Sequence, residues 1–204
     1  MKKVKNYNSE VKSVTTCGGS IVECDLFHLF AVLSEVDLMK QFIDQYEDII
    51  KVAEVSPFRW LMHCKIKMPI TFTNRDLVCT GFGMINQEEK SILLTFKSIE
   101  NFLDKVVPPE TENYKRIFMH FGYYKIQYIS ENKYYLTCAF NYDPRIPVIP
   151  WFVLNKFLKW ATYYIIDGLK KQLNDPRAKE IYSKRIEEKK DYYEMVKKAL
   201  NLLN

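Results

Sequence analysis

A chain of 204 residues can enclose one substantial hydrophobic core, so a single domain is expected. With 48% hydrophobic and 15% aromatic residues the composition is that of a globular protein, and only six glycines argue against a glycine-rich phosphate cradle. The net charge of +5 lies wholly in the last quarter, where residues 156–204 carry 12 Lys+Arg against 7 Asp+Glu; such a basic tail reads as a solvated face, an anionic-membrane contact or a nucleic-acid patch, the first being the default.

The opening MKKVKNYNSE has no apolar run, and no stretch approaches 18 apolar residues, so neither a signal peptide nor a membrane span is expected. Val11 to Cys24 is rich in β-branched residues around Gly18-Gly19 and predicts a strand or hairpin. Asp25 is placed to cap a short helix whose apolar residues Leu26, Leu29, Phe30 and Leu33 recur at helical spacing. A second short helix follows around Asp37 to Ile43. After Asp48 the period becomes two. Trp60, Met62, Cys64, Ile66 and Met68 face one way and Leu61, His63, Lys65 and Lys67 the other, which predicts a half-exposed antiparallel strand. Further strands are predicted at Leu77 to Ile85, Ser91 to Ser98, Arg116 to Ile129 and Lys133 to Tyr142, with a longer apolar-tipped loop from Glu100 to Asn113. From Pro150 the pattern is helical: Trp151, Leu154, Leu158, Ile165, Leu169 and Leu173 form a broad stripe. Asp175-Pro176 starts another helix, whose stripe from Tyr182 to Leu203 has a gap at Lys189 and fits docking either on another chain or on its own sheet. The order predicts an α+β fold.

Between two apolar strands stands Arg75-Asp76. A buried guanidinium without a counter-charge costs on the order of several kcal/mol, so the partner of Arg75 is the functional question. The five cysteines (Cys17, Cys24, Cys64, Cys79, Cys138) include no C-x-x-C and no Cys/His cluster, so no metal site is expected and the thiols read as reduced groups of a cytoplasmic protein.

Three segments carry a family resemblance. KMPITFTNRDLV at Lys67 to Val78, DPRIPVIPWFVLN at Asp143 to Asn155 and KQFIDQY at Lys40 to Tyr46 resemble segments of the StAR-related lipid-transfer (START) domains, nearest to the phosphatidylcholine transfer protein branch. Phe42 stands where tryptophan is usual, Arg145-Ile146-Pro147 replaces the glycine after Asp-Pro, and the family's N-terminal helix looks missing or shortened. The resemblance implies a helix-grip fold, in which a curved antiparallel β-sheet wraps around a long C-terminal α-helix and leaves an internal hydrophobic cavity. It divides the chain into a lipid-binding domain, 1–175, and a C-terminal helical extension, 176–204.

The resemblance further implies that Arg75 points into the cavity. In phosphatidylcholine binders that arginine meets the ligand phosphate; in sterol binders it pairs with a glutamate on the preceding strand. Here Arg59 to Met68 has no Asp or Glu, and Met62 occupies the acid's offset. An anionic headgroup is therefore one partner for Arg75, and a structural carboxylate elsewhere is the other. Met68 replaces the aromatic beside the proline, so a choline-type aromatic cage is not evident. Candidate lining residues are Trp60, Met62, Met68, Cys79, Ile92, Leu94 and Phe96, with Trp151, Leu154 and Leu158 from the helix; any one of them also suits a solid core. Phe102, Leu103, Val106 and Val107 would touch a membrane, aided by Lys156, Lys159, Lys170 and Lys171.

The implied function is a non-enzymatic, cytoplasmic, peripherally membrane-associated carrier. It holds one lipid, a phospholipid before a sterol or fatty acid, and exchanges it between membranes, with no cofactor and no nucleic acid. A closed apolar pocket is required because a two-chain lipid exposes on the order of 30 methylenes, each costing ~0.8 kcal/mol in water. The alternatives are a helix-grip enzyme of cyclase or isomerase type and a ligand-sensing regulatory module. His63 falls on the polar face of its strand and His28 within a helix, and His120 has no obvious carboxylate or His partner beside it, which disfavours the enzyme.

Overall fold

The computed structural model describes residues 13–56, 58–68, 72–100, 107–143, 145 and 151–201, the side chains of 151–155, 157, 158, 160, 161, 200 and 201 excepted. In chain order the elements are β1 (Val14–Glu23), α1 (Leu26–Ser34), a 3-10 helix (Val36–Gln41), β2 (Tyr46–Ser56), β3 (Arg59–Ile66), β4 (Asn74–Asn86), β5 (Ser91–Ser98), β6 (Tyr114–Arg116), β7 (Phe118–Ser130), β8 (Lys133–Asp143), α2 (Trp151–Asn174), α3 (Pro176–Glu188) and α4 (Lys190–Asn201). The strands form one curved sheet in the order β1-β8-β7-β5-β4-β3-β2. Its neighbours are antiparallel, except that β6 runs parallel to the start of β4.

Local chemistry accounts for the boundaries. Asp25 caps α1 by accepting the His28 N–H at 2.9 Å, and Asp175 caps α3 by accepting the Arg177 N–H at 2.8 Å with proline at the first helical position. The β7–β8 turn places Asn132 at φ 54°, a left-handed conformation that asparagine tolerates. Gly18-Gly19 does not break the first strand, contrary to the hairpin alternative. A Cβ on Gly18 would lie 2.9 Å from the side chains of Ile166 and Thr162, so the glycine is the seat on which α2 rests against β1.

Strand β2 escaped the period-two reading because its pairing with β3 shifts register at three places, each moving the side chains to the other face. A second difference lies on β3. The face expected to be half-exposed is closed, with Leu61 fully buried and His63 nearly so. Val52, Ala53, Ile99 and Val107 pack over Leu61 and Val78 on that side, so the chain returning from the loop before β6 covers the outer face of the sheet there.

Registers define the inner face. Trp60, Met62, Cys64 and Ile66 of β3 lie opposite Gly81, Cys79, Leu77 and Arg75 of β4, and Phe96, Leu94 and Ile92 of β5 continue the rows. Apart from Ile66, Gly81 and Arg75, these residues share one hydrophobic core with α1, Leu169 of α2, Ala178 and Tyr182 of α3, and Tyr193 and Val196 of α4. Helix α1 is buried from His28 to Ser34 because α2 and α3 pack against it.

The last apolar stripe therefore docks on its own chain as far as Val196, the Leu200 side chain and Leu203 lying outside the described residues. The expected helix breaks at Lys189, where the stripe has its gap, into α3 and α4. The break brings Lys189 onto Glu35, a carboxylate only 2% exposed. Glu35 accepts hydrogen bonds from Arg185 Nη1 at 2.8 Å, Lys189 Nζ at 2.7 Å and the Tyr193 hydroxyl at 3.2 Å, and Asp37 shares Arg185. A carboxylate this deep is stable only with such partners.

Candidate functional site

The Arg75-Asp76 pair is divided by the alternation of β4. Arg75 lies opposite Ile66 on the inner face and is 2% exposed. Its guanidinium donates to main-chain carbonyls: Nη1 to Thr73 and Nη2 to Arg145, the latter at 3.4 Å. Burial draws its pKa below the ordinary arginine value. Those carbonyls come from the segment before β4 and from the chain leading to α2, so Arg75 sits at the end of the sheet where both converge.

Asp76 serves the outer face. It lies 2.9 Å from His63 Nε2 and accepts Arg116 Nε at 3.2 Å through both carboxylate oxygens. Arg116 also donates to the carbonyls of Pro108 at 2.6 Å and Pro109 at 3.2 Å. Asp76 thus ties the return of the 100–113 loop to the sheet. Sequence reasoning missed this pairing; the available signal was the strand period, which sends neighbouring residues of a strand to opposite faces. Nothing in the sequence marked Arg116.

Around Arg75 the inner face is dry. Burial pushes the thiols of Cys64 up to about 12 and of Cys138 up to about 11, and raises Cys79 well above its ordinary value. It lifts the Tyr142 hydroxyl to about 12 and those of Tyr46 and Tyr124 strongly upward. These groups are neutral hydrogen-bonding or packing elements, since a reactive thiol requires the opposite shift. Tyr46 and Tyr142 nevertheless keep some accessible surface while packing on the core.

Of the lining residues expected from sequence, Trp60, Met62, Cys79, Ile92, Leu94 and Phe96 stand on the inner face and are buried. Met68 is half-buried, its N–H donating to Asn74 Oδ1 at 3.1 Å. The side chains of Trp151, Leu154 and Leu158, and residues Phe102, Leu103 and Val106, lie outside the described residues. Val107 packs on the outer face beside Leu61 and Val78. On α2, Lys156 and Lys159 are exposed and Tyr163 is 70% exposed. No helix is long and apolar enough to cross a membrane among the described residues, and no three His, Cys, Asp or Glu side chains among them gather to hold a metal.

The histidines occupy separate places. His28 is buried in α1, edge-on to Tyr182 at 5.8 Å, with its pKa lowered by burial. His63 belongs to the Asp76–Arg116 cluster, and His120 packs edge-on to Phe118 at 5.0 Å.

No family model and no curated protein sequence matches the chain. Solved structures do. The chain is similar to human STARD10 at 14% identity and a TM-score of 0.68, covering 86% of this chain and 66%, just under two thirds, of that one. It is also similar to the human StAR-related lipid transfer protein 5 at 16% identity and a TM-score of 0.67, over 78% of this chain and 74% of that one. The StAR-related lipid transfer protein fragment from Xanthomonas axonopodis aligns at 12% identity and a TM-score of 0.64, over 79% and 86%. An antiparallel curved sheet holding C-terminal helices, aligned over these lengths, is the helix-grip fold of START domains.

Proposed function

We propose that this protein binds a single lipid between the inner face of its sheet and α2, and transfers it between membranes without catalysing a reaction. The observation that carries this reading is Arg75, a cation 2% exposed at one end of an inner face on which, among the described residues, buried apolar side chains and un-ionised thiols and phenols predominate. A fixed guanidinium fork at one end of a dry surface suits a phosphate whose acyl chains extend along that surface. Phospholipid is therefore the preferred cargo, ahead of a sterol or fatty acid. Trp60, Met62, Met68, Cys79 and Phe96 are assigned to the lining, with Trp151, Leu154 and Leu158 from α2. The structural neighbours named for lipid transfer support the same direction.

Membrane contact is assigned to Phe102, Leu103 and Val106 with the outward stripe of α2, and not to Val107, which packs on Leu61 and Val78 instead. Lys156, Lys159, Lys170 and Lys171 lie along that stripe with Tyr163, and each lysine near an anionic bilayer contributes about 1 kcal/mol. Residues 176–204 are read as an extension that completes the domain 1–175.

Native mass spectrometry of the purified protein, followed by extraction, tests the reading. One bound phospholipid per chain is expected, and Arg75→Ala should lower phospholipid transfer between vesicles at least about tenfold, the worth of one lost charged hydrogen bond. A protein that takes up no lipid from cell extract or vesicles overturns the carrier reading. Phospholipid transfer unchanged in Arg75→Ala overturns the headgroup assignment.

A further inference from the structure

The end of the inner face remote from Arg75 carries aromatic rings, and the absence of a side chain at Gly81 makes room for one of them. Gly81 and Gly83 of β4 stand one strand period apart on the inner face. A Cβ on Gly81 would lie 2.6 Å from the Trp60 indole, and one on Gly83 would lie 3.5 Å from Phe58. The indole thus occupies the space that a side chain at Gly81 would need, whereas Phe58 sits at ordinary contact distance from Gly83. Tyr192 of α4 meets Phe58 at 5.4 Å between ring centroids, and Phe30 of α1 meets Tyr192 at 6.1 Å. Lys51 holds its ammonium 5.7 Å from the Trp60 ring centroid.

Beyond Trp60 the character of the surface changes. A crevice of about 300 Å³ lies between Trp60, Lys51, Glu54, Glu35 and Tyr192. Two ion pairs lie along it, Lys51 with Glu54 at 3.0 Å and Lys189 with Glu35 at 2.7 Å. Trp60 is thus a partition with the apolar inner face on one side and a polar crevice on the other. Tyr192 of α4 lines the same crevice as Trp60, and the Glu35 network holds α4 in place.

We propose that Trp60, seated on Gly81 at the edge of the crevice that Tyr192 also lines, is the floor of the lipid chamber, and that the C-terminal helices thereby set the acyl length the protein accepts. This inference rests on the carrier reading above. A chain longer than the distance from Arg75 to the indole has no apolar surface to continue along, only the charged crevice. Shortening the ring extends the chamber; lifting it off the strand shortens the chamber.

The test uses full-length protein incubated with vesicles of an equimolar mixture of diacyl phosphatidylcholines, from dilauroyl to distearoyl. The protein is reisolated and its bound lipid read by native mass spectrometry. Trp60→Leu is expected to enrich distearoyl over dilauroyl lipid by about tenfold relative to wild type, the low end of what one methylene is worth in an apolar pocket. Tyr192→Ala, at a half-buried position, should shift the distribution the same way. Gly81→Ala, whose new methyl must displace the indole, should shift it toward shorter chains. Circular dichroism melts identify which variants are folded. An unchanged chain-length distribution in every folded variant overturns the floor while leaving the carrier reading intact. Wild type recovered without any lipid overturns the carrier reading, and the floor with it.

Discussion

Glu35 is the residue on which the C-terminal helices depend. It is 2% exposed and engages Arg185, Lys189 and Tyr193 at once. Removing the acid from such a cluster leaves cations facing a buried surface, which costs about 3–5 kcal/mol when they cannot reach water. Lys189 is a third exposed and can turn outward. The expected loss for Glu35→Ala is therefore at the lower end, about 3 kcal/mol, read as a fall in the urea midpoint. His28 gives a second, pH-dependent expectation. Burial lowers its pKa from 6.5, so the folded state binds its proton less readily than the unfolded chain does. Stability is then lost as pH falls through the ordinary imidazole value and onward to the folded one. Comparing urea midpoints of wild type and His28→Leu between pH 5 and 8, the range where imidazole titrates, the wild type should weaken more steeply on acidification. Parallel curves would show that His28 is not desolvated in solution.

Among elements, α3 and α4 are structural partners of α1. Ala178, Tyr182, Tyr193 and Val196 are buried in the common core, and Tyr182 also stacks on Phe42 at 5.9 Å. Truncation after Asn174 would uncover Leu29, Phe30 and Leu33, each now essentially buried. Full burial of one such side chain is worth about 1.5–3 kcal/mol, so the truncated chain should lose cooperative unfolding and bind a hydrophobic dye. A sharp thermal transition in the truncated chain would show that residues 1–174 stand alone. The helices, the N-caps at Asp25 and Asp175 and strands β3, β5, β7 and β8 were legible because their signals are local. Strand β2 was not, because bulges break the alternation that would announce it. Its register is set by what β3 offers across the sheet. Likewise the outer face of β3 was misread as half-exposed: whether Leu61 meets water depends on a chain segment some forty residues further on, at Ile99 and Val107.

For the whole molecule, the distribution of thiols is diagnostic. Cys17 is exposed on β1, while Cys64, Cys79 and Cys138 lie buried with their ionisation suppressed and Cys24 is pushed up to about 11. An aromatic disulfide reagent near neutral pH should modify one cysteine quickly and the remainder only as the protein unfolds; mass spectrometry of the alkylated chain identifies Cys17 as the fast site. Fast reaction at Cys64 or Cys79 would mean that the inner face opens to water.

The sequence by itself determined the α+β order, the inward and outward sets on β3 and the placing of an arginine among apolar strands, since side-chain period and capping chemistry act over a few residues. It also carried the resemblance through the Asn-Arg-Asp segment. Only the tertiary structure decided that Asp76 faces away from Arg75 to hold Arg116, that Lys189 breaks the last helix to reach Glu35, and that Trp60 lies on Gly81. Each of these joins residues far apart in the chain. Such contacts follow from how curved layers close on one another, and no local pattern encodes that closure.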